Sequence, residues 1–136
     1  MVFPLVVVVA SNINKIMKYD ITHAIQSLKP GSQWTLRGND YSGLEWMDSG
    51  QTKPTETEIN NKIASLDAAE PMRLLRLERD KRIALTDWRA SSDLTMSDAW
   101  KTYRQALRDL PASASPSLDS DYDLDLTSVT WPTEPS

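Results

Sequence analysis

The sequence predicts an α+β fold: a small N-terminal helix plus β-hairpin module, followed by a capped helix and a C-terminal antiparallel helical hairpin with an extended tail. Three observations lead there. Trp34, Leu36, Leu44 and Trp46 alternate along two short runs separated by a turn rich in Gly, Asn and Asp, the pattern of paired strands with one covered face. Met96, Trp100, Tyr103, Leu107 and Leu110 recur at intervals of three and four residues, which gives a helix with a narrow apolar face. Beyond Pro111 the composition turns to Ser, Pro, Asp and Ala with few large apolar groups.

The chain opens on an apolar run, Met1 to Ala10. It is too short to span a bilayer, which needs roughly 20 residues. It does not read as a signal peptide either, which would want a basic residue before the run, whereas the first one, Lys15, follows it. Residues 1–16 therefore read as a β-branched strand that pairs in a homo-oligomer, as a disordered leader, or as sequence upstream of a start at Met17. The last two are favoured, since an exposed apolar strand invites aggregation.

Residues 17–50 form the small α+β module. Asp20 caps a helix from Ile21 to Leu28, which Lys29-Pro30-Gly31 ends. Strands follow at Gln33 to Arg37 and Leu44 to Met47, joined by Gly38 to Gly43. A lone two-stranded hairpin is marginal in water. The face carrying Trp34 and Trp46 must be covered by the rest of the chain or by a partner, and an open edge can accept a partner strand.

The helical region spans 51–111, after a polar linker at 48–54 that puts a domain boundary near 49–55. Thr55 and Glu58 have the spacing of a capping box, and Ile59, Ile63 and Leu66 line one face up to Ala69. Glu70-Pro71 is expected to kink or end that helix. A second pattern starts at Pro71, with Leu74, Leu77, Ala84, Leu85 and Trp88 as its apolar stripe and Arg73, Arg76, Arg79 and Arg82 on the hydrated side. The short polar stretch Arg89 to Leu94 sets the next helix antiparallel to it. That helix is capped by Thr95 or Ser97 and stopped by Pro111, and Trp88 and Trp100 are expected in the core between the two.

Residues 112–136 form an acidic, Ser/Pro-rich tail that reads as linker up to Thr127. Trp131, followed by Pro132, is costly to leave in water. It either folds back on the helices or meets a partner in an extended, polyproline-like form.

Composition narrows the function classes. In 136 residues there is room for one compact domain or two small units. The net charge of −4 gives no general attraction to nucleic acid or anionic membrane. Residues 70–111 carry nine Lys/Arg against seven Asp/Glu, whereas 112–136 carry five acids and no base. These read as two solvated surfaces, since exposed pairs contribute little.

No chemistry is recognisable. There is no cysteine, and His23 is the only histidine, without the companions a metal or catalytic site needs. The alternating Asp119, Asp121, Asp123 and Asp125 lack the glycine and the final acid of a calcium loop, where Leu124 and Thr130 stand instead. No phosphate-cradling or hydrolase motif is present. No catalytic residue, metal ligand or cofactor is assigned, and no enzyme is expected.

The Arg-rich helix ending in Thr86-Asp87-Trp88, the helix carrying Trp100 and Tyr103-Arg104-Gln105-Ala106-Leu107-Arg108, and the closing Trp131-Pro132 together resemble the phage tail assembly chaperone family. The resemblance covers roughly the second half of the chain, mainly residues 70–111 and 129–135. It implies a small phage protein that binds a tail fibre or another tail protein and does not imply an enzyme; the expectation built on it is binding at an exposed trimeric end of the fibre. The lack of cysteine fits action in the host cell cytoplasm during assembly. The alternative the resemblance leaves open is a structural tail, fibre or baseplate component retained in the virion. The candidate contacts are Trp131, Pro132, the series Arg73, Arg76, Arg79 and Arg82, and the hairpin tryptophans Trp34 and Trp46.

Overall fold

The computed structural model describes residues 19–136, so the expectations for residues 1–16 lie outside the described part. The chain divides into two compact units, residues 1–68 and 69–136. The described elements are helix α1 (Ile21–Leu28), strands β1 (Trp34–Leu36) and β2 (Leu44–Trp46), the long helix α2 (Glu56–Ala84) and helix α3 (Asp98–Asp109), with short 3₁₀ turns between and after them. Mixed helix and a two-stranded antiparallel sheet make this an α+β protein.

In the first unit the start of α1 is fixed by Asp20. Its carboxylate accepts from the His23 backbone N–H, while the His23 ring accepts in return from the Asp20 N–H, so two otherwise orphaned donors are satisfied. β1 and β2 pair with Trp34 opposite Trp46, Thr35 opposite Glu45 and Leu36 opposite Leu44. That register follows from the alternation, because a slip by one residue moves the apolar side chains to the wet face. At the turn, a Cβ on Gly43 would lie 1.9 Å from the Arg37 carbonyl oxygen, so only glycine lets the strand ends close.

The core of this unit joins Ala24 and Ile25 of α1, Trp34, Leu36 and Leu44 of the hairpin, and Ile59 and Ile63 from the start of α2. Residues 48–54 pack back on the hairpin. Trp46 Nε1 donates to the Gln51 carbonyl at 2.7 Å, Lys53 Nζ to the Leu44 carbonyl at 3.1 Å, and the Tyr41 hydroxyl to the Pro54 carbonyl at 2.8 Å.

The start of α2 is the capping box read from the sequence: the Thr55 hydroxyl accepts from the Glu58 N–H at 3.1 Å, and the Glu58 carboxylate accepts from the Thr55 N–H at 2.7 Å. Replacing Thr55 by Ala is expected to cost about 1 kcal/mol, read as a lower urea midpoint. The helix continues through Pro71, so the proline does not end it. Pro71 removes the N–H that would bond the Asp67 carbonyl. Across that gap, buried Glu70 receives Arg73 through two short bonds, Nε at 2.7 Å and Nη2 at 2.6 Å, and this bidentate pair ties the turn on either side of the proline.

Three capping carboxylates are held below their ordinary pKa values. Burial works against Asp20, but the Thr22 hydroxyl and the His23 N–H outweigh it. Glu58 is lowered by the backbone and then the hydroxyl of Thr55, and Asp125 by the hydroxyl and then the N–H of Thr127. The folded chain therefore releases these protons more readily than the unfolded chain does. Their stabilisation is complete above the ordinary carboxylate range and is lost as pH falls through the lower folded values. Urea midpoints are expected to stay flat from neutrality to about pH 5 and to drop below it. Glu58→Gln should flatten that drop.

Candidate functional site

In the second unit, hydrophobicity is spread almost evenly around α2, so pattern alone does not choose its inner face. The structure chooses the side of Leu75, Arg79, Arg82, Ile83 and Thr86, spaced at three and four residues. Leu75 and Thr86 are buried, and Ile83 packs on the apolar cluster. The expected stripe is the outer side: Leu77, Leu85 and Trp88 are more than half exposed. Arg79 and Arg82, expected in water, turn inwards. Arg79 pairs with Asp80 at 2.8 Å, and Arg82 with Glu78 at 3.0 Å.

The end of α2 is set by Arg104. This largely buried guanidinium reaches from α3 to the Ile83 carbonyl at 3.2 Å, the Thr86 hydroxyl at 2.6 Å and the Asp87 carboxylate at 3.0 Å. It thus supplies donors to carbonyl and hydroxyl oxygens at the negative end of the helix dipole. Arg79 also donates to the Arg108 carbonyl at 3.4 Å. The pairs 79 with 108 and 83 with 104 run in opposite chain order. After Thr86 the backbone tightens into a 3₁₀ turn, Asp87–Ala90, which turns Trp88 outward instead of into the core.

α3 starts where Ser97 accepts from the Trp100 N–H, so Ser97 and not Thr95 is the cap. Its buried face is Trp100, Tyr103, Arg104 and Leu107. Trp100 and Tyr103 meet edge to face at 5.7 Å, and Ile83, Met96 and Trp131 close around them. Burial, and then the nearby Glu134 carboxylate, push the Tyr103 phenol above its ordinary pKa.

The tail is folded where a linker was expected. Leu118 and Leu124 form a β-bridge. The Asp119 carboxylate accepts from the N–H groups of Asp121 and Asp123, so the acids of the calcium-like run serve their own turn. No group of metal-ligating residues forms among the described residues. Val129 is buried, and Trp131 folds back onto the cluster. Its ring lies 4.0 Å from the Arg82 guanidinium, and its Nε1 donates to the Leu126 carbonyl at 3.2 Å.

The other sequence-designated contacts are dispersed. Trp34 is in the core of the first unit and Trp46 is half-buried beside it. Arg73 is engaged by Glu70, Arg76 is exposed, and Pro132 is half-buried next to Trp131.

Two surface grooves were not foreseen. One, of about 320 Å³, lies between Leu74, Leu77, Glu78 and Lys81 of α2 and Leu124 and Leu126 of the tail. The other, of about 250 Å³, is walled by Trp88, Arg89, Leu94, Thr95, Met96, Ser97 and Trp100. In it Arg89 Cζ stands 4.4 Å from the Trp88 ring centre and 3.7 Å from that of Trp100. The Thr86-Asp87 helix stop just before Trp88 was the available sequence signal for an outward tryptophan.

No helix among the described residues is long and apolar enough to cross a membrane. No curated protein and no solved structure matches the chain. A family model does, and it covers the helical unit with its aromatic core, Arg104 brace and folded tail: over residues 72–136 the chain is similar to the phage tail assembly chaperone proteins.

Proposed function

We propose that this protein is a bacteriophage tail fibre assembly chaperone, binding a fibre or another tail protein in the host cell cytoplasm and acting by contact, not catalysis. The observation that carries the reading is the coincidence of two boundaries. The family similarity spans 72–136, and the compact C-terminal unit spans 69–136. A similarity confined to one self-contained unit points to a transferable binding module. Tail assembly is what the family name itself supports; the fibre as target is the finer part of the proposal.

The contacts proposed for the partner begin with exposed Arg76, with Arg73, whose side chain is half exposed although paired with Glu70, and with half-buried Pro132 in the same unit. Arg79, paired with Asp80, and Arg82, stacked on Trp131, are the further candidates in this unit, and Trp34 and Trp46 those of the hairpin in the other. Two helices running antiparallel over 70–111 provide the frame.

Quantitative mass spectrometry of purified virions and of infected-cell lysate tests the reading. Presence in lysate and absence from virions is the expected result. A fixed copy number per fibre would overturn it in favour of a structural tail, fibre or baseplate component.

A further inference from the structure

We propose that the groove beside Arg89 is a docking site for an acidic side chain flanked by an apolar one on a partner protein, an inference that deepens the assembly role above and rests on it. Two features of the groove require different chemistry from one occupant.

The first is its apolar rim. Trp88 is 59% exposed and Leu94 48%, on either side of a cleft whose floor includes Met96 and Trp100. A tryptophan this exposed is costly, and Trp and Arg are the residue types in which binding energy concentrates.

The second is an unspent cation. Arg79, Arg82 and Arg104 each have a carboxylate within 3.0 Å. The Arg89 guanidinium touches two indole faces and, among the described residues, has no hydrogen-bond or ion-pair acceptor. Ring contact offsets part of its charge but fills none of its N–H donors. The acids nearest in sequence do not serve it: Asp87 is held by Arg104 at 3.0 Å, Asp98 faces Lys101 at 3.9 Å, and Asp93 makes no ion pair among the described residues.

Stacking also restricts the side chain to few conformations, so less freedom remains to be lost when an acceptor arrives. A carboxylate matches a guanidinium bidentately, and the indole walls displace water that would weaken the pair. An apolar neighbour on the same peptide then covers Trp88 and Leu94. This complementarity of one negative and one apolar group fits an acidic peptide segment.

The test is a ¹H–¹⁵N NMR titration of the full chain, following the tryptophan indole and arginine Nε–H signals. The probes are acetyl-Leu-Asp-Leu-amide, its Asn counterpart and inorganic phosphate, each to about 10 mM, which reaches millimolar dissociation constants. The Asp peptide is expected to shift Trp88 and Arg89, with the Asn peptide and phosphate binding about tenfold more weakly or not at all. Arg89→Gln should abolish the response. Leu94→Asp, at an exposed position that leaves the core intact, should abolish it too by supplying a competing carboxylate.

Equal shifts from the Asp and Asn peptides, equal shifts from phosphate, or none, would overturn the proposal. Binding of a purified fibre or other tail protein that Leu94→Asp leaves undiminished overturns the groove and keeps the assembly role. A peptide response with no tail protein bound keeps the groove and removes the assembly role.

Discussion

Trp100→Ala is expected to lower stability by about 3–5 kcal/mol, the range for truncating a large aromatic side chain in a core. The ring is only 7% exposed, meets Tyr103 edge to face and supports Arg89 on one face. Its removal leaves a cavity bounded by α3 and Met96, which relaxation of one helix cannot fill. Thermal or urea unfolding checks this, and an unchanged melting curve contradicts the core assignment. Trp88→Ala is the matched control: the same side chain, mostly exposed, should cost far less.

Arg104→Ala is expected to cost about 2–3 kcal/mol, since hydrogen bonds to a charged group are the stronger class and the side chain is largely buried. The Asp87 arm contributes least, because that carboxylate is mostly in water. The bonds to the Ile83 carbonyl and the Thr86 hydroxyl contribute most, because both fix where α2 ends. Arg104→Lys should recover only part of the loss, because all three acceptors meet at Nη1 and the lysine side chain ends one bond short of that position. A double-mutant cycle with Thr86→Val measures the coupling. Additive losses within about 0.5 kcal/mol would show that the two groups act independently.

The elements whose start or period is written in local sequence were legible. Asp20 and Thr55 cap helices because their oxygens reach the first N–H groups, and the alternation of Trp34, Leu36, Leu44 and Trp46 leaves one workable register. The face of α2 was not legible, because its apolar residues surround the axis and long-range partners decide. Arg104, eighteen residues beyond Thr86, turns the polar-looking side inward. Pro71 misled as a helix end for a related reason: a rule about one missing N–H cannot see a Glu70–Arg73 pair spanning it. The site was legible only in part. Trp131 was correctly given the option of folding back, but the Trp88–Arg89–Leu94 groove exists because a 3₁₀ turn replaces the last turn of an expected helix.

The folded-back Trp131 also fixes an order of events during synthesis. The apolar cluster described for the first unit is complete once Ile63 has emerged from the ribosome, whereas the second must wait for a side chain far beyond α3. At about 5–20 residues per second, roughly one to five seconds separate the appearance of Leu107 from that of Trp131. Through that interval the nascent aromatic seam stands open, and the second unit lacks the ring that closes it.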